Sequence, residues 1–239
     1  MIRCSVADRL NIVLETDTMT PGCASFLNTI YRDFAQPVAQ PVIALRVRVK
    51  DLPEPAGNVR RLGHDGWYGD GFLQLASGHR FERLGDEGIV DVPSQVKRGR
   101  VPFKRATPGR HISDELVEPL MVSLLEPFGI RFLHSSAILA EDDNQATVRV
   151  AWRGTGKTNA ILPFLGTGRL MSDDLTPYDS ETGILHAYPR PLRLYSYNIE
   201  RLPWSDREKA KLRRKSFRTP PWQPVAYLPL QPRIMTTDR

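Results

Sequence analysis

One eight-residue run limits what this chain can fold into more than any other feature. Residues 151–158 read Ala151-Trp152-Arg153-Gly154-Thr155-Gly156-Lys157-Thr158. The run fits the relaxed phosphate-loop pattern, with alanine where the strict form has glycine. Two glycines let the backbone turn until its N–H groups face phosphate oxygens. A helix leaving the loop adds unpaired N–H groups and the positive end of its dipole. Lys157 would then reach the β- and γ-phosphates, and Thr158 would offer a hydroxyl to Mg²⁺. The setting agrees, because an apolar strand over 147–151 feeds the loop and a helical pattern follows over 157–165. Pro163 should bend or shorten that helix, since it lacks an N–H. Arg153, Gly154, Thr155, Gly156, Lys157 and Thr158 are the candidate cofactor-binding residues.

Asp173 and Asp174 follow at the end of a strand read over 169–175, and Asp173 stands 16 residues after Lys157. One helix and a turn would use that interval and return the chain to the sheet beside the loop strand. Adjacent carboxylates repel unless a cation or a proton lies nearby. A Mg²⁺-nucleotide supplies the cation. Neighbouring side chains of a strand point apart. One aspartate would therefore face the metal and the other an acceptor hydroxyl.

The surrounding chain is ordinary globular material. Of 239 residues, 41% are hydrophobic and 25% charged, which excludes a mainly disordered chain. No apolar run approaches the roughly 18 residues of a membrane span. The first residues show no secretory pattern, so a cytoplasmic, membrane-free setting is expected. Cys4 and Cys23 cannot build a disulfide framework and read as buried small hydrophobes.

Two domains are expected, 1–110 and 111–239. In the first, Thr20-Pro21 opens an amphipathic helix that runs to Gln36-Pro37. A half-buried strand follows over 41–50, then a loop over 51–71. A small antiparallel meander covers 72–76, 79–83 and 89–92, and 97–110 reads as a linker. In the second, Ser113 would cap a helix running to Leu125, with Pro119 as a kink. Residues 132–140 then form one strand.

Charge is uneven. Residues 201–239 hold ten Lys/Arg against three Asp/Glu, whereas 1–200 hold 23 against 24. The basic segment 206–218 reads either as a solvated helix or as a docking surface for an acidic partner. It carries no zinc-finger spacing, RNA-binding sheet signature or helix-turn-helix, so nucleic acid is not the expected partner.

In order, the chain carries His134-Ser135-Ser136-Ala137-Ile138-Leu139, the loop, Met171-Ser172-Asp173-Asp174-Leu175, and Tyr188-Pro189-Arg190-Pro191-Leu192. This series, spanning residues 116–194, resembles the C-terminal domain of HPr serine kinase/phosphorylase and its wider kinase-like relatives. The resemblance implies an α/β fold: a P-loop kinase domain, its sheet flanked by helices, after a small strand-rich α+β domain. It implies ATP and Mg²⁺ as cofactors and the serine or threonine hydroxyl of a small protein or peptide as acceptor. Carried over by position, Asp173 contacts the acceptor hydroxyl, His134 is the active-site histidine, and Lys157 binds phosphate. Thr158, Asp174 and Glu200 take the metal side. HPr kinases assemble as oligomers, which makes a homo-oligomer an option here. Two other readings stay open: a nucleotide-binding module that transfers nothing, favoured by Pro163, and an NTPase tied to nucleic acid through the basic tail.

Overall fold

The computed structural model describes residues 1–56, 59–62, 64–97, 104–140, 145–152, 155–220, 223–232 and 235–237. It divides into two compact units, Met1–Leu125 and Glu126–Arg239. The division falls after the helix that the sequence reading gave to the second domain.

In the first unit, β1 (Ile2–Val6) and β2 (Leu10–Leu14) form an antiparallel hairpin. Ala7 and Asp8 turn it with φ of 51° and 50°. Helix α1 (Pro21–Tyr31) starts as expected, with the Thr20 hydroxyl accepting from the Cys23 N–H and proline in the first turn. It buries Cys23, Leu27, Ile30 and Tyr31 and stops short of Gln36. Strand β3 (Ile43–Val49) alternates as its sequence does. Ile43, Leu45 and Val47 are buried, while Arg46 pairs with Glu15 and Glu87, and Arg48 with Asp91.

The segment expected as loop holds two more strands, β4 (Arg60–Leu62) and β5 (Gly66–Gly69). β6 (Phe72–Leu75), β7 (Arg80–Leu84) and β8 (Glu87–Val92) follow. The eight strands make one sheet in the order β1-β2-β3-β8-β7-β6-β5-β4. The β2–β3 and β3–β8 pairs are parallel, so the expected meander is part of a larger mixed sheet. In place of a plain linker, β9 (Gln95–Lys97) pairs with β10 (Lys104–Ala106).

The last helix of this unit begins as a π-helix, His111–Val117, and continues as α2 (Glu118–Leu125). Ser113 is buried inside the π turn instead of capping a helix. Pro119 lies just past the change of pitch, where a missing N–H is tolerated.

The second unit is built from shorter pieces. The strand expected over 132–140 is two strands, β11 (Ile130–Leu133) and β12 (Ser135–Leu139), which join different sheets. β13 (Ala146–Val150) leads to α3 (Lys157–Ile161), which tightens into a 3-10 turn at Leu162–Phe164 around Pro163. β14 (Leu170–Ser172) and β15 (Thr176–Asp179) follow, then β16 (Leu192–Leu194), α4 (Asp206–Ser216) and β17 (Ala226–Leu228). Strand β12 stands between β13 and β14 and is antiparallel to both. β14 therefore does not return beside the loop strand, because β12 separates them.

Both faces of β12 are buried. Ile138 packs with Ile161, Leu162, Leu170, Leu192 and Leu194, and on the other side Ala137 and Leu139 pack with Met171 and Ala187. At about 1.5–3 kcal/mol for each large apolar side chain, this packing holds β12 and the start of α3 in register. Helix α4 buries no residue and carries a capping box between Ser205 and Glu208, as a solvated basic helix should. The protein is thus mixed α/β, a large mixed sheet with a few flanking helices. Among the described residues, no helix is long and apolar enough to cross a membrane.

Candidate functional site

His134 occupies the one-residue break between β11 and β12. Its Nδ1 lies 3.0 Å from the Asp174 carbonyl oxygen and 3.3 Å from Asp174 Oδ1. Both are acceptors, so Nδ1 carries the proton and Nε2 presents a lone pair. The Lys157 ammonium donates to that lone pair at 2.9 Å and also to the Ala151 carbonyl. His134 thereby joins the start of α3 to the acidic doublet 40 residues along the chain from it.

Lys157 is the first residue of α3, and Gly156 before it has φ of 92°. A side chain would be strained there, which explains glycine at this position. Thr155 turns its N–H and its hydroxyl onto the Trp152 carbonyl, closing the loop locally. Arg153 and Gly154 lie outside the described residues.

Thr158, one residue into the helix, donates its hydroxyl to Asp173 at 3.1 and 3.3 Å. Asp173 is partly buried, and its carboxyl is pushed up from an ordinary 3.8 to about 6. Burial is the main cause. The Thr158 hydrogen bond pulls the value back down, Asp174 raises it, and Lys157 lowers it. Asp174 adopts a left-handed φ of 79°, which is rare for a residue other than glycine, and its carboxylate is exposed. The strand expected over 169–175 ends at Ser172, so strand alternation does not set these two side chains. They diverge through the left-handed Asp174, with Asp173 turned to Thr158 and Asp174 to His134. However, the Thr158 hydroxyl meets Asp173, whereas the family resemblance groups Thr158 with Asp174.

Glu200 is placed elsewhere. It lies in the 3-10 helix Ser196–Arg201, and the Arg213 guanidinium grips its carboxylate at 2.7 and 2.6 Å. Among the described residues, no hydrogen bond or ion pair links it to Thr158, Asp173 or Asp174.

Two supporting groups escaped the sequence reading. Ser135, Thr176 and Ser172 form a buried hydroxyl chain, with links of 2.8 and 2.6 Å, directly before the doublet. Buried Asn198 donates to Asn159 of α3 at 2.8 Å and accepts from the Tyr195 N–H at 2.9 Å. The only signal for the first was polar residues at inward positions of apolar strands, and for the second there was none.

No set of three His, Cys, Asp or Glu side chains among the described residues could enclose a metal ion. Mg²⁺ does not need one, since it usually keeps waters and substrate phosphates and takes one or two protein oxygens. The converging Thr158 hydroxyl and Asp173 carboxylate meet that requirement. No protein-family model matches the chain, and no curated protein matches it significantly.

Proposed function

We propose that the second unit is a P-loop phosphotransferase of the HPr kinase type, using ATP and Mg²⁺ to phosphorylate a serine or threonine hydroxyl of a small protein or peptide. One observation carries this reading: Lys157, Thr158, His134, Asp173 and Asp174, from three separate stretches of chain, converge through direct contacts at one end of the β13-β12-β14 sheet.

Bound Mg²⁺-ATP would supply the transferable γ-phosphoryl group and a dication that offsets its charge. Lys157 would exchange its bonds to Ala151 and His134 for phosphate oxygens. His134, held by Asp174, keeps the lysine aimed until then. Thr158 and Asp173 form the metal-side pair. Asp174, exposed and next to His134, faces the acceptor. The acceptor oxygen would bond to the γ-phosphorus as the bond to the departing diphosphate oxygen breaks, and a carboxylate of the doublet would take the hydroxyl proton. The transition state is loose, so a weak base suffices, and positioning with charge neutralisation does most of the work.

A second reading, nucleotide binding without transfer, is favoured by the five-residue α3 and by the loop's bonds to its own carbonyls. Incubating the full chain with γ-labelled ATP, Mg²⁺ and a library of serine peptides separates the two. Labelled peptide that disappears with Lys157→Ala supports the kinase. Nucleotide binding with no labelled product supports the second reading and rejects the first.

A further inference from the structure

The first unit holds a cavity that the proposed chemistry does not use. It measures about 300 Å³ and lies between one face of the sheet and α2. Strand pairing sets its walls. Leu45 of β3 is opposite Gly88 of β8, and Gly88 is opposite Arg83 of β7. Val90 is opposite Phe81, and Phe81 is opposite Leu73 of β6. Paired residues share a face of a sheet, so these six positions look the same way. Leu120 and Leu124, one turn apart on α2, line the other side. Leu45 and Val90 are buried, whereas Leu73, Phe81, Leu120 and Leu124 stay partly exposed.

Gly88 keeps the cavity open. Its φ is not in the left-handed region. A Cβ there would meet only Leu45 Cδ1 at 3.7 Å and the Ala44 carbonyl oxygen at 3.8 Å, both ordinary contacts. Neither the backbone nor crowding therefore calls for glycine, and glycine inside a strand weakens it. What its missing side chain leaves is room, and a strand glycine often marks a place where another molecule comes close.

The lining selects the chemistry of that molecule. Among the described residues around the cavity, Glu82 and Arg83 are the only ones with polar side chains. Strand alternation sends Glu82 to the opposite face, where Arg80 Nη2 pairs with it at 3.4 Å. Arg83 stays on the cavity face and is exposed. Its Nε donates to the Gly85 carbonyl at 3.1 Å, and among the described residues no carboxylate pairs with it. Both Nη groups are left as a planar fork that fits a carboxylate. A peptide would bring backbone N–H and C=O groups that these side chains could not satisfy, at a cost for each. A hydrocarbon tail brings none. We propose that this cavity binds an aliphatic carboxylic acid, its tail over Gly88 between α2 and Phe81 and its carboxylate on Arg83. The inference does not rest on the kinase reading, and it gives the first unit a ligand of its own. Small-molecule sites run from roughly 300 to 1,000 Å³, and this one is at the small end, so a medium-length chain fits it better than a long one.

The test uses the full chain and calorimetry with hexanoate, octanoate, octanol and octylamine, each below its micelle concentration. One octanoate should bind per chain, about 15-fold more tightly than hexanoate, since each added methylene gives about fourfold. Octanol should bind about tenfold more weakly than octanoate, and octylamine more weakly still. The methyl resonances of Leu73, Val90, Leu120 and Leu124 should shift on adding octanoate, whereas those of Leu139 and Leu170 in the second unit should not. Arg83→Gln should weaken octanoate about tenfold and leave octanol unchanged. Gly88→Leu fills the cavity and should abolish the binding of both. If that variant does not fold, Gly88→Ala adds one methyl in ordinary contact and should weaken octanoate severalfold, with the methyl shifts locating the ligand. Octanol equal to octanoate, or an Arg83→Gln variant that binds octanoate as before, overturns the acid. Unchanged binding in Gly88→Leu, methyl shifts elsewhere, or no binding of any probe overturns the site. A dimer that Gly88→Leu dissociates means that a second copy fills the cavity, and overturns the ligand.

Discussion

Each unit carries a network centred on histidine, and the two are built to opposite ends. In the first unit, Ser77 Oγ lies 2.9 Å from His79 Nδ1, His79 Nε2 lies 2.9 Å from His111 Nε2, and His111 Nδ1 lies 2.7 Å from Glu115 Oε2. The ring centroids are 5.1 Å apart, so the two Nε2 atoms meet head-on, as in a hydrogen bond and not as two ligands converging on a metal. With both rings neutral, one direction satisfies every group: Ser77 donates to His79, His79 to His111, and His111 to Glu115. Burial, helped by His111, pushes His79 down from 6.5 to about 4. That network is closed and holds the turn before β7 to the π-helix. The His134 network is open. Its lysine rests on a loop carbonyl, one carboxylate sits on a strained exposed residue, and the other is held far above its ordinary value. The first cluster satisfies itself, whereas the second keeps charge in reserve, which is what the proposed phosphate transfer would use.

The sharpest way to break this contrast is to remove one member of each network. Lys157→Ala should cut phosphate transfer by about 10²–10³-fold, the usual effect of losing one electrostatic stabiliser. His111→Ala should leave transfer unchanged in the folded fraction but lower the first unit's stability, because His79 then loses its buried partner; the expected cost is about 1–3 kcal/mol. Steady-state kinetics with denaturant titration reads both. A transfer defect in His111→Ala would erase the distinction.

The two networks should also tilt stability with pH in opposite directions. His79 is depressed in the folded state. Its contribution is present above about 6.5 and is lost as the pH falls through about 4. Asp173 is raised. Its contribution is present below about 3.8 and is lost as the pH rises through about 6. Each swing is worth at most about 3 kcal/mol. Between pH 4 and 7, hydrogen exchange should show the first unit gaining protection and the second losing it. Asp173→Asn should remove the second trend and stabilise that unit at pH 8. Parallel trends in both units would contradict the burial assigned to these groups.

The carboxylates themselves sharpen the site. With Thr158 on Asp173 and His134 on Asp174, Asp173→Asn should raise the Mg²⁺ concentration for half-saturation about tenfold. Asp174→Asn should lower kcat and leave that concentration unchanged. The reverse pattern would restore the roles implied by the family resemblance.

How much of this was legible beforehand depended on where the signal lay. Strand β3 and helix α1 were readable because their apolar periods of two and about 3.6 coincide with what they bury. The β1–β2 hairpin was not, because Ala7-Asp8 takes positive φ without the Asn-Gly or Asp-Gly pair that usually marks such a turn. β4 and β5 hide among Gly, Pro and Asp residues that normally signal loop. The break at His134 was hidden inside a run read as one strand, where the polar His134-Ser135-Ser136 stretch does not show that a strand changes partners. At the site, the place of Lys157 and Thr158 at the start of a helix was legible from local spacing. The divergence of the aspartates comes instead from the left-handed Asp174 beyond the end of β14, which strand alternation does not foretell. Which aspartate meets Thr158 is a matter of tertiary register, and spacing does not carry it. The place of β12 between β13 and β14 was equally invisible, because strand order is not written in any one segment.

The smallest expected effect concerns Glu200, where sequence position and geometry part most clearly. The resemblance gives this residue a metal-linked role, yet its carboxylate is occupied. Arg213 holds both oxygens, and its proximity keeps the carboxyl below its ordinary value, so the group is a saturated anion on the surface. Lys209 donates to the Glu200 carbonyl as well, so α4 is fastened to the 3-10 turn at two points. Glu200→Gln loses the charge but keeps an oxygen that Arg213 can still use. Exposed ion pairs contribute little, so the fold should barely respond. A Mg²⁺ titration of the transfer reaction should give the same half-saturation as the unaltered chain, within about twofold. A shift as large as that expected for Asp173→Asn would mean that the Arg213 pair opens during turnover and that α4 moves with it.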